Sequence, residues 1–278
     1  MPELGKYNQL PAVREAPPGL FLDGGDFGEI LMPRRYMPER WAMGQIMDVF
    51  VYRDSEDRLV ATTEKPLVQV GEFANLKVVS INPNMGAFLD WGLAKDLLLP
   101  IREQTFRFRV GNWVIVYVYV DERSNRIVAS SRLVRHLSKE MPPYVVGAKV
   151  ELLILDRSEL GYNAIVNNTH RGLLYHTDIG SPLAIGSKIP GYIRAVRPDK
   201  KIDLGLDPTG YTRVAPLVDQ IIEALKANHG RLPFDDQSPP EAVRKTFGTS
   251  KNAFKQALGA LYRDRRIDFT SPGIRLME

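Results

Sequence analysis

Short runs in which apolar and polar residues alternate fill the first two hundred positions, and the same succession of runs comes round three times. In the most regular run Val114, Val116, Val118 and Val120 share one parity, and Ile115, Tyr117 and Tyr119 share the other. Successive side chains of a strand point to opposite faces, so the valines are expected inside and the aromatics outside. The corresponding earlier run puts Met47, Val49 and Val51 inside and Phe50 and Tyr52 outside. The later one puts Ile189 and Ile193 inside and Tyr192 outside, with Pro190 predicting a partly edge position.

The other runs of each copy are shorter. A strand follows an early glycine (Gly5, Gly71 or Gly147), and after a turn a second strand starts at another: Gly19-Leu-Phe-Leu-Asp23, Gly86-Ala-Phe-Leu-Asp90 and Gly161-Tyr-Asn-Ala-Ile165. The distance from that second glycine to a proline is the same in two copies, 33−19 = 14 and 100−86 = 14. A further apolar run (Ile30–Met32, Leu97–Leu99, Leu173–Tyr175) precedes the long strand. A short strand at Arg58, Arg126 or Lys201 closes the copy. Five short strands in about 65 residues, cornered by glycines, predict a small antiparallel barrel of the OB type. The predicted fold class is therefore mainly β, with three tandem five-stranded OB barrels at 1–67, 68–137 and 138–210.

From position 211 the period changes from two to that of a helix. Leu217, Ile221, Ile222 and Leu225 make one helical face that ends at His229-Gly230, and Leu232-Pro233-Phe234 reads as an extended link. Ser238 is expected to cap a second helix that stops at Gly248. A third helix over 250–266 is expected to bury Phe254, Ala257, Leu258, Leu261 and Tyr262. Gly259, unfavourable in a helix, suggests a close-packed neighbour there. Ile267–Phe269 and Ile274–Leu276 predict a hairpin. Helix, helix, basic helix and hairpin is the winged-helix order, which completes the plan at 211–278.

Composition narrows the chemistry. The 278 residues contain no cysteine, which excludes disulfides and thiolate metal sites. No run approaches a membrane span, so a cytoplasmic protein without membrane attachment is expected. The net charge of +4 and pI of about 9.2 suit a polyanionic partner. Residues 250–266 carry five cations against Asp264, a local +4. The four histidines form no helical metal pair, no P-loop spacing follows Gly24-Gly25, and Asp23 and Asp90 fall in different copies. No catalytic residue, metal or cofactor is predicted.

The Gly-Ala-Phe-Leu run, the Gly-Leu-Leu-Tyr-His-Thr-Asp run at 172–178 and a basic residue before the last strand resemble the S1-type RNA-binding domain. The resemblance implies that the nucleic-acid-facing aromatic falls on Phe21 and Phe88, with Asn163 in its place in the third copy. The basic slot falls on Arg58, Arg126 and Lys201, and the family's histidine slot on Met32, Leu99 and Tyr175. Trp91, in the link after the Gly-led strand, is a further stacking candidate. The third copy adds His170, His176, Arg194 and Arg197, and the last helix presents Lys251, Lys255, Arg263 and Arg266. Stacking on such rings and pairing with such cations is how single strands are held. The competing reading is that the outer aromatics pack one barrel against the next. Three S1-type modules and a winged helix, with Ser-Lys-Asn-Ala-Phe-Lys-Gln-Ala-Leu-Gly-Ala-Leu-Tyr at 250–262, resemble the bacterial conserved virulence factor B family. That resemblance implies a non-catalytic RNA-binding regulator acting after transcription. The partner expected is single-stranded RNA, with structured RNA or DNA on the winged helix, bound by a monomer. Two alternatives are a regulator that binds duplex DNA and an assembly factor that docks on protein.

Overall fold

A computed structural model describes residues 2–207 and 211–277, except for the side chains of 211–216. The expected boundary at 210/211 abuts 208–210, which lie outside the described residues. The chain forms two compact units, Met1–Leu137 and Ser138–Glu278.

The first unit holds two closed barrels. One is built from β1 (Tyr7–Ala16), β2 (Gly19–Asp23), β3 (Glu29–Pro33), β4 (Ile46–Arg53) and β5 (Leu59–Thr62). The other is built from β6 (Phe73–Asn82), β7 (Gly86–Asp90), β8 (Leu97–Pro100), β9 (Trp113–Asp121) and β10 (Arg126–Ser130). In each, the first strand pairs with the second and fourth, the third pairs with the second and, in parallel, with the fifth, and the fifth returns to the fourth. The first strand serves both neighbours because a bulge bends it, at Ala12/Arg14 and at Val78/Ser80. The Gly-led corner follows from close approach: a Cβ on Gly19 would lie 2.1 Å from the Met32 carbonyl oxygen, and one on Gly86 2.2 Å from that of Leu99.

Met47, Val49 and Val51 fill the first interior, and Val114, Val116 and Val118 fill the second. Phe50 and Tyr52, expected outside, are buried as well, because the second barrel covers them. The Phe50 ring meets Trp91 edge-on at 5.8 Å and Tyr52 meets it at 6.5 Å. The two belong with the valines and leucines of the second barrel to one continuous core. For Phe50 the packing alternative is the one realised.

The second unit repeats the barrel with β11 (Lys149–Arg157), β12 (Gly161–Val166), β13 (His170–Tyr175), β14 (Lys188–Val196) and β15 (Ile202–Gly205). Pro190 sits where β14 pairs with β11 alone, since β14 meets β15 only from Tyr192 onward. A donor is therefore not needed there. The winged helix follows: α1 (Tyr211–Ala227), β16 (Arg231–Leu232), α2 (Pro240–Phe247), α3 (Lys251–Arg263), β17 (Ile267–Phe269) and β18 (Ile274–Leu276). Its core takes Leu217, Ile221, Ile222 and Leu225 from α1, and Phe254, Ala257, Leu258 and Leu261 from α3.

Four local expectations differ from the structure. Arg231–Leu232 is a third strand of the wing sheet and pairs with β18. Ser238 does not cap α2; its hydroxyl binds Asp235, and Pro239 precedes the helix instead. Tyr262 is 54% exposed and leans on Phe269 at 5.3 Å, because it falls past the edge of the apolar face. Nothing lies within 4 Å of a Cβ at Gly259, so no neighbour explains that glycine.

Candidate nucleic-acid interface

The second-strand position marked by Phe21, Phe88 and Asn163 points outward in every barrel, and the three surroundings differ. In the first barrel the Arg14 guanidinium lies 3.9 Å over the Phe21 ring and is itself fixed to Glu29 by hydrogen bonds of 2.6 to 3.0 Å. One ring face is therefore covered. In the third barrel Asn163 donates to Asp156 at 2.5 Å and offers no ring.

Phe88 opens into a cleft. A space of about 90 Å³ is lined by Met85, Phe88, Leu98 and Ile127 of the second barrel, with Tyr52 and Arg53 from the first. Trp91 also lines it, almost wholly buried. Three cations converge here: Arg53, Lys95 and Arg126. Their positions depend on the loop after β4. Arg53 donates to the Asp57 carbonyl at 2.7 Å and to the Asn125 carbonyl at 3.2 Å, and Lys95 donates to the Asp54 carbonyl at 2.6 Å. Arg126 pairs with the Asp57 carboxylate. Hydrogen bonding from Arg126 holds that carboxyl below its ordinary range, while burial pushes the Lys95 ammonium down. Asp96, also in the lining, is pushed up by burial and by Asp90. The cleft thus joins a flat apolar floor to a cationic rim, which is what a base with its phosphate requires.

Trp91 is not a stacking platform. It is 2% exposed, its indole N–H donates to the Lys95 carbonyl at 2.5 Å, and its ring is spent on the seam between the barrels. Arg58 is exposed and held by Asp54 and Glu56.

On the third barrel Tyr175, Arg197 and Asp203 form one network. Arg197 donates to the Tyr175 hydroxyl at 2.8 Å and to Asp203 at 2.8 Å, and Tyr175 donates to Asp203 at 3.2 Å. His176 is half-buried, with Nε2 3.1 Å from the Ser158 carbonyl and its ring edge-on to Tyr162. Lys201 pairs with Asp199 at 2.8 Å. His170 is buried against Tyr144, and Arg194 is paired with Asp207, so neither adds to the surface.

The basic helix α3 starts at a Ser250 cap and docks its first turn on the third barrel. Asn252 donates to Asp178 at 3.2 Å, and Arg244 of α2 donates to the His176 carbonyl at 3.0 Å. Lys251 donates to the Gln237 carbonyl, and Lys255 lies 3.7 Å from Asp236. Arg263 and Arg266 are exposed at the far end, without hydrogen bond or ion pair from their side chains among the described residues.

Two features here were not foreseen. The cleft borrows Tyr52 and Arg53 from the neighbouring barrel, and Lys95 joins its rim. The only sequence signal for Lys95 is its place in the same link as Trp91. No helix among the described residues is long and apolar enough to cross a membrane.

Known proteins resemble the chain in sequence along most of its length. An S1 domain model matches residues 4–64 and 70–131, and a CvfB-like winged helix domain model matches 219–276. The uncharacterized protein YitL of Bacillus subtilis is 25% identical over 256 residues, covering 90% of this chain and 85% of the relative. Conserved virulence factor B of Staphylococcus saprophyticus is 26% identical over 253 residues, 85% and 81% of the two chains. Among solved structures, a multidomain protein with nucleic acid binding domains from Streptococcus pneumoniae aligns with 99% of this chain and 98% of its own at 19% identity and a TM-score of 0.41. S1 barrels and winged helices are nucleic-acid-binding modules rather than catalytic ones. With S1 domains and a CvfB-like winged helix in one chain, the protein is similar along most of its length to relatives named conserved virulence factor B.

Proposed function

We propose that the protein binds single-stranded RNA and regulates gene expression after transcription, without catalysis, as a cytoplasmic monomer. The observation that carries this reading is the cleft around Phe88, where Met85, Leu98 and Ile127 surround a half-buried ring and Arg53, Lys95 and Arg126 stand at the rim. Such a site takes an unstacked base and its phosphate, and a duplex does not present one. In the second unit, Tyr175, Arg197 and Lys201 on the third barrel, with His176 next to Tyr175 in the chain, offer further contacts, as do Lys251, Lys255, Arg263 and Arg266 on the winged helix. Phe21 is auxiliary because Arg14 covers one face of its ring, and Arg58 because it does not line the cleft. The working division is four modules at 1–67, 68–137, 138–210 and 211–278.

The second reading is duplex DNA bound by α3. A recognition helix reads base edges with its N-terminal residues, and here Asn252 in that turn is bonded to Asp178. This favours RNA over duplex DNA. The test is competition by single-stranded RNA, single-stranded DNA and duplex DNA for the full chain at several salt concentrations. Single-stranded RNA is expected to win, with affinity falling steeply with salt. Preference for duplex DNA overturns the reading.

A further inference from the structure

The segment between β8 and β9 carries a surface that the Phe88 cleft does not use. It reads Phe106-Arg107-Phe108-Arg109-Val110-Gly111-Asn112-Trp113. Phe108 is buried in the barrel core, and the rest faces outward: Phe106 is 62% exposed, Val110 62% and Trp113 63%. The Phe106 ring rests on Phe108, with centroids 4.1 Å apart, and turns its other side to solvent; clustered exposed apolar groups mark a binding surface. Arg107 and Arg109 are also exposed, and neither guanidinium has a hydrogen bond or carboxylate among the described residues. The segment contains no acid.

The geometry is fixed rather than loose. Asn112 closes a turn back to Arg109 through bonds of 2.9 and 3.0 Å, and both Gly111 and Asn112 bond to Val78 of β6 at 2.8 Å. Trp113 then pairs with Lys77, and Lys77 pairs with Asp90 of β7, two residues beyond Phe88. At about 4.8 Å per strand and about 3.3 Å per residue, Trp113 lies roughly 12 Å from Phe88 along the barrel surface.

The sister barrels show what the fold itself needs at this place. Counting back from the shared glycine at 44, 111 and 186, the plug at Phe108 is matched by Trp41 and Leu183, which pack on their own cores. Of the outward positions, Arg107 is matched by Arg40 in the first barrel and Val110 by Met43 and Ile185, but three others are not matched. Phe106 corresponds to Glu39 and Ser181, Arg109 to Ala42 and Ala184, and Trp113 to Ile46 and Lys188. A barrel closes without these rings and cations, so structure does not account for them.

We propose that Phe106, Arg107, Arg109 and Trp113, with Lys77, form a second contact for single-stranded nucleic acid on the second barrel, separate from the Phe88 cleft. The rings offer π-faces to bases and the guanidinium groups meet phosphates. One strand leaving the cleft reaches both sites. This rests on the reading of the protein as a single-strand binder and adds where the strand runs.

The test replaces the patch with what the sister barrels carry: Phe106→Ser, Arg109→Ala and Trp113→Ile in the full chain. The probe is a fluorescently labelled single-stranded RNA 25-mer, followed by anisotropy alongside Phe88→Ala. The expected result is a loss of affinity of about tenfold or more with an unchanged denaturation midpoint. The single variant Trp113→Ile gives a second readout. Oligonucleotide quenching of tryptophan fluorescence present in the parent is expected to shrink in it. Unchanged affinity and quenching in the patch variants, with affinity lost in Phe88→Ala, overturns the patch and leaves the cleft. Absence of RNA binding by the parent chain overturns both. Unchanged affinity with a loss of self-association in sedimentation overturns the patch and makes it a protein face.

Discussion

Replacing Trp91 by alanine separates a structural tryptophan from a binding one. Its ring is enclosed by Phe50 and Tyr52 from the first barrel, and its N–H satisfies the Lys95 carbonyl at 2.5 Å. Truncation removes a fully buried ring, leaves a cavity between two barrels and strands a carbonyl. Large-to-small changes of this kind cost about 3 to 5 kcal/mol. For a unit of this size, at about 3 °C per kcal/mol, the transition of the first unit is expected to fall by roughly 9 to 15 °C. Trp113→Ala is the internal control. That ring is 63% exposed, and its removal is expected to change stability by less than about 0.5 kcal/mol. Far-ultraviolet circular dichroism melts of parent and variants read the difference without relying on tryptophan emission. Equal melting shifts for the two variants, or a Trp91→Ala protein as stable as the parent and deficient only in RNA binding, would refute the seam.

Three further outcomes follow from local geometry. Gly86→Ala places a Cβ 2.2 Å from the Leu99 carbonyl oxygen, and is expected to cost about 2 to 4 kcal/mol in urea unfolding. Gly259→Ala meets nothing within 4 Å on an exposed helix face, and is expected to stabilise the winged helix by about 0.5 to 1 kcal/mol. Burial lowers the pKa of His136 from 6.5, with Glu103 opposing it. The unfolded chain therefore takes up the proton first. This contribution to the stability of the first unit is complete above about pH 7, declines as pH falls through 6.5 and levels off below the folded value. His136→Phe, which keeps the stack on Tyr117, is expected to flatten that part of the pH dependence of the melting temperature.

The barrels were legible because their determinants are local. Parity placed Val49, Val116 and Ile193 inside, and the Gly-led corner at Gly86 needs only the strand opposite it. The basic winged helix was legible for the same reason, since the face of Phe254, Leu258 and Leu261 follows from spacing along one helix. What escaped depends on partners distant in sequence. Phe50 and Trp91 look identical to exposed stacking rings until the second barrel is set against the first. His170 looks like a surface base until Tyr144 covers it. The cleft gathers Arg53, Lys95 and Arg126 from three separate segments, and no periodicity along one strand could bring those residues together. Arg231–Leu232 is too short to register as a strand without β18 beside it.

The central claim is that the cleft around Phe88 holds an unstacked base between an apolar floor and a cationic rim. Its most direct test is the affinity of the full chain for a single-stranded RNA 25-mer before and after Phe88→Ala, with the melting temperature followed in parallel. A half-buried ring at the surface is expected to leave the fold intact, while the lost stacking weakens binding by about 5- to 150-fold, equivalent to about 1 to 3 kcal/mol. An unchanged dissociation constant in a folded Phe88→Ala protein would contradict the account.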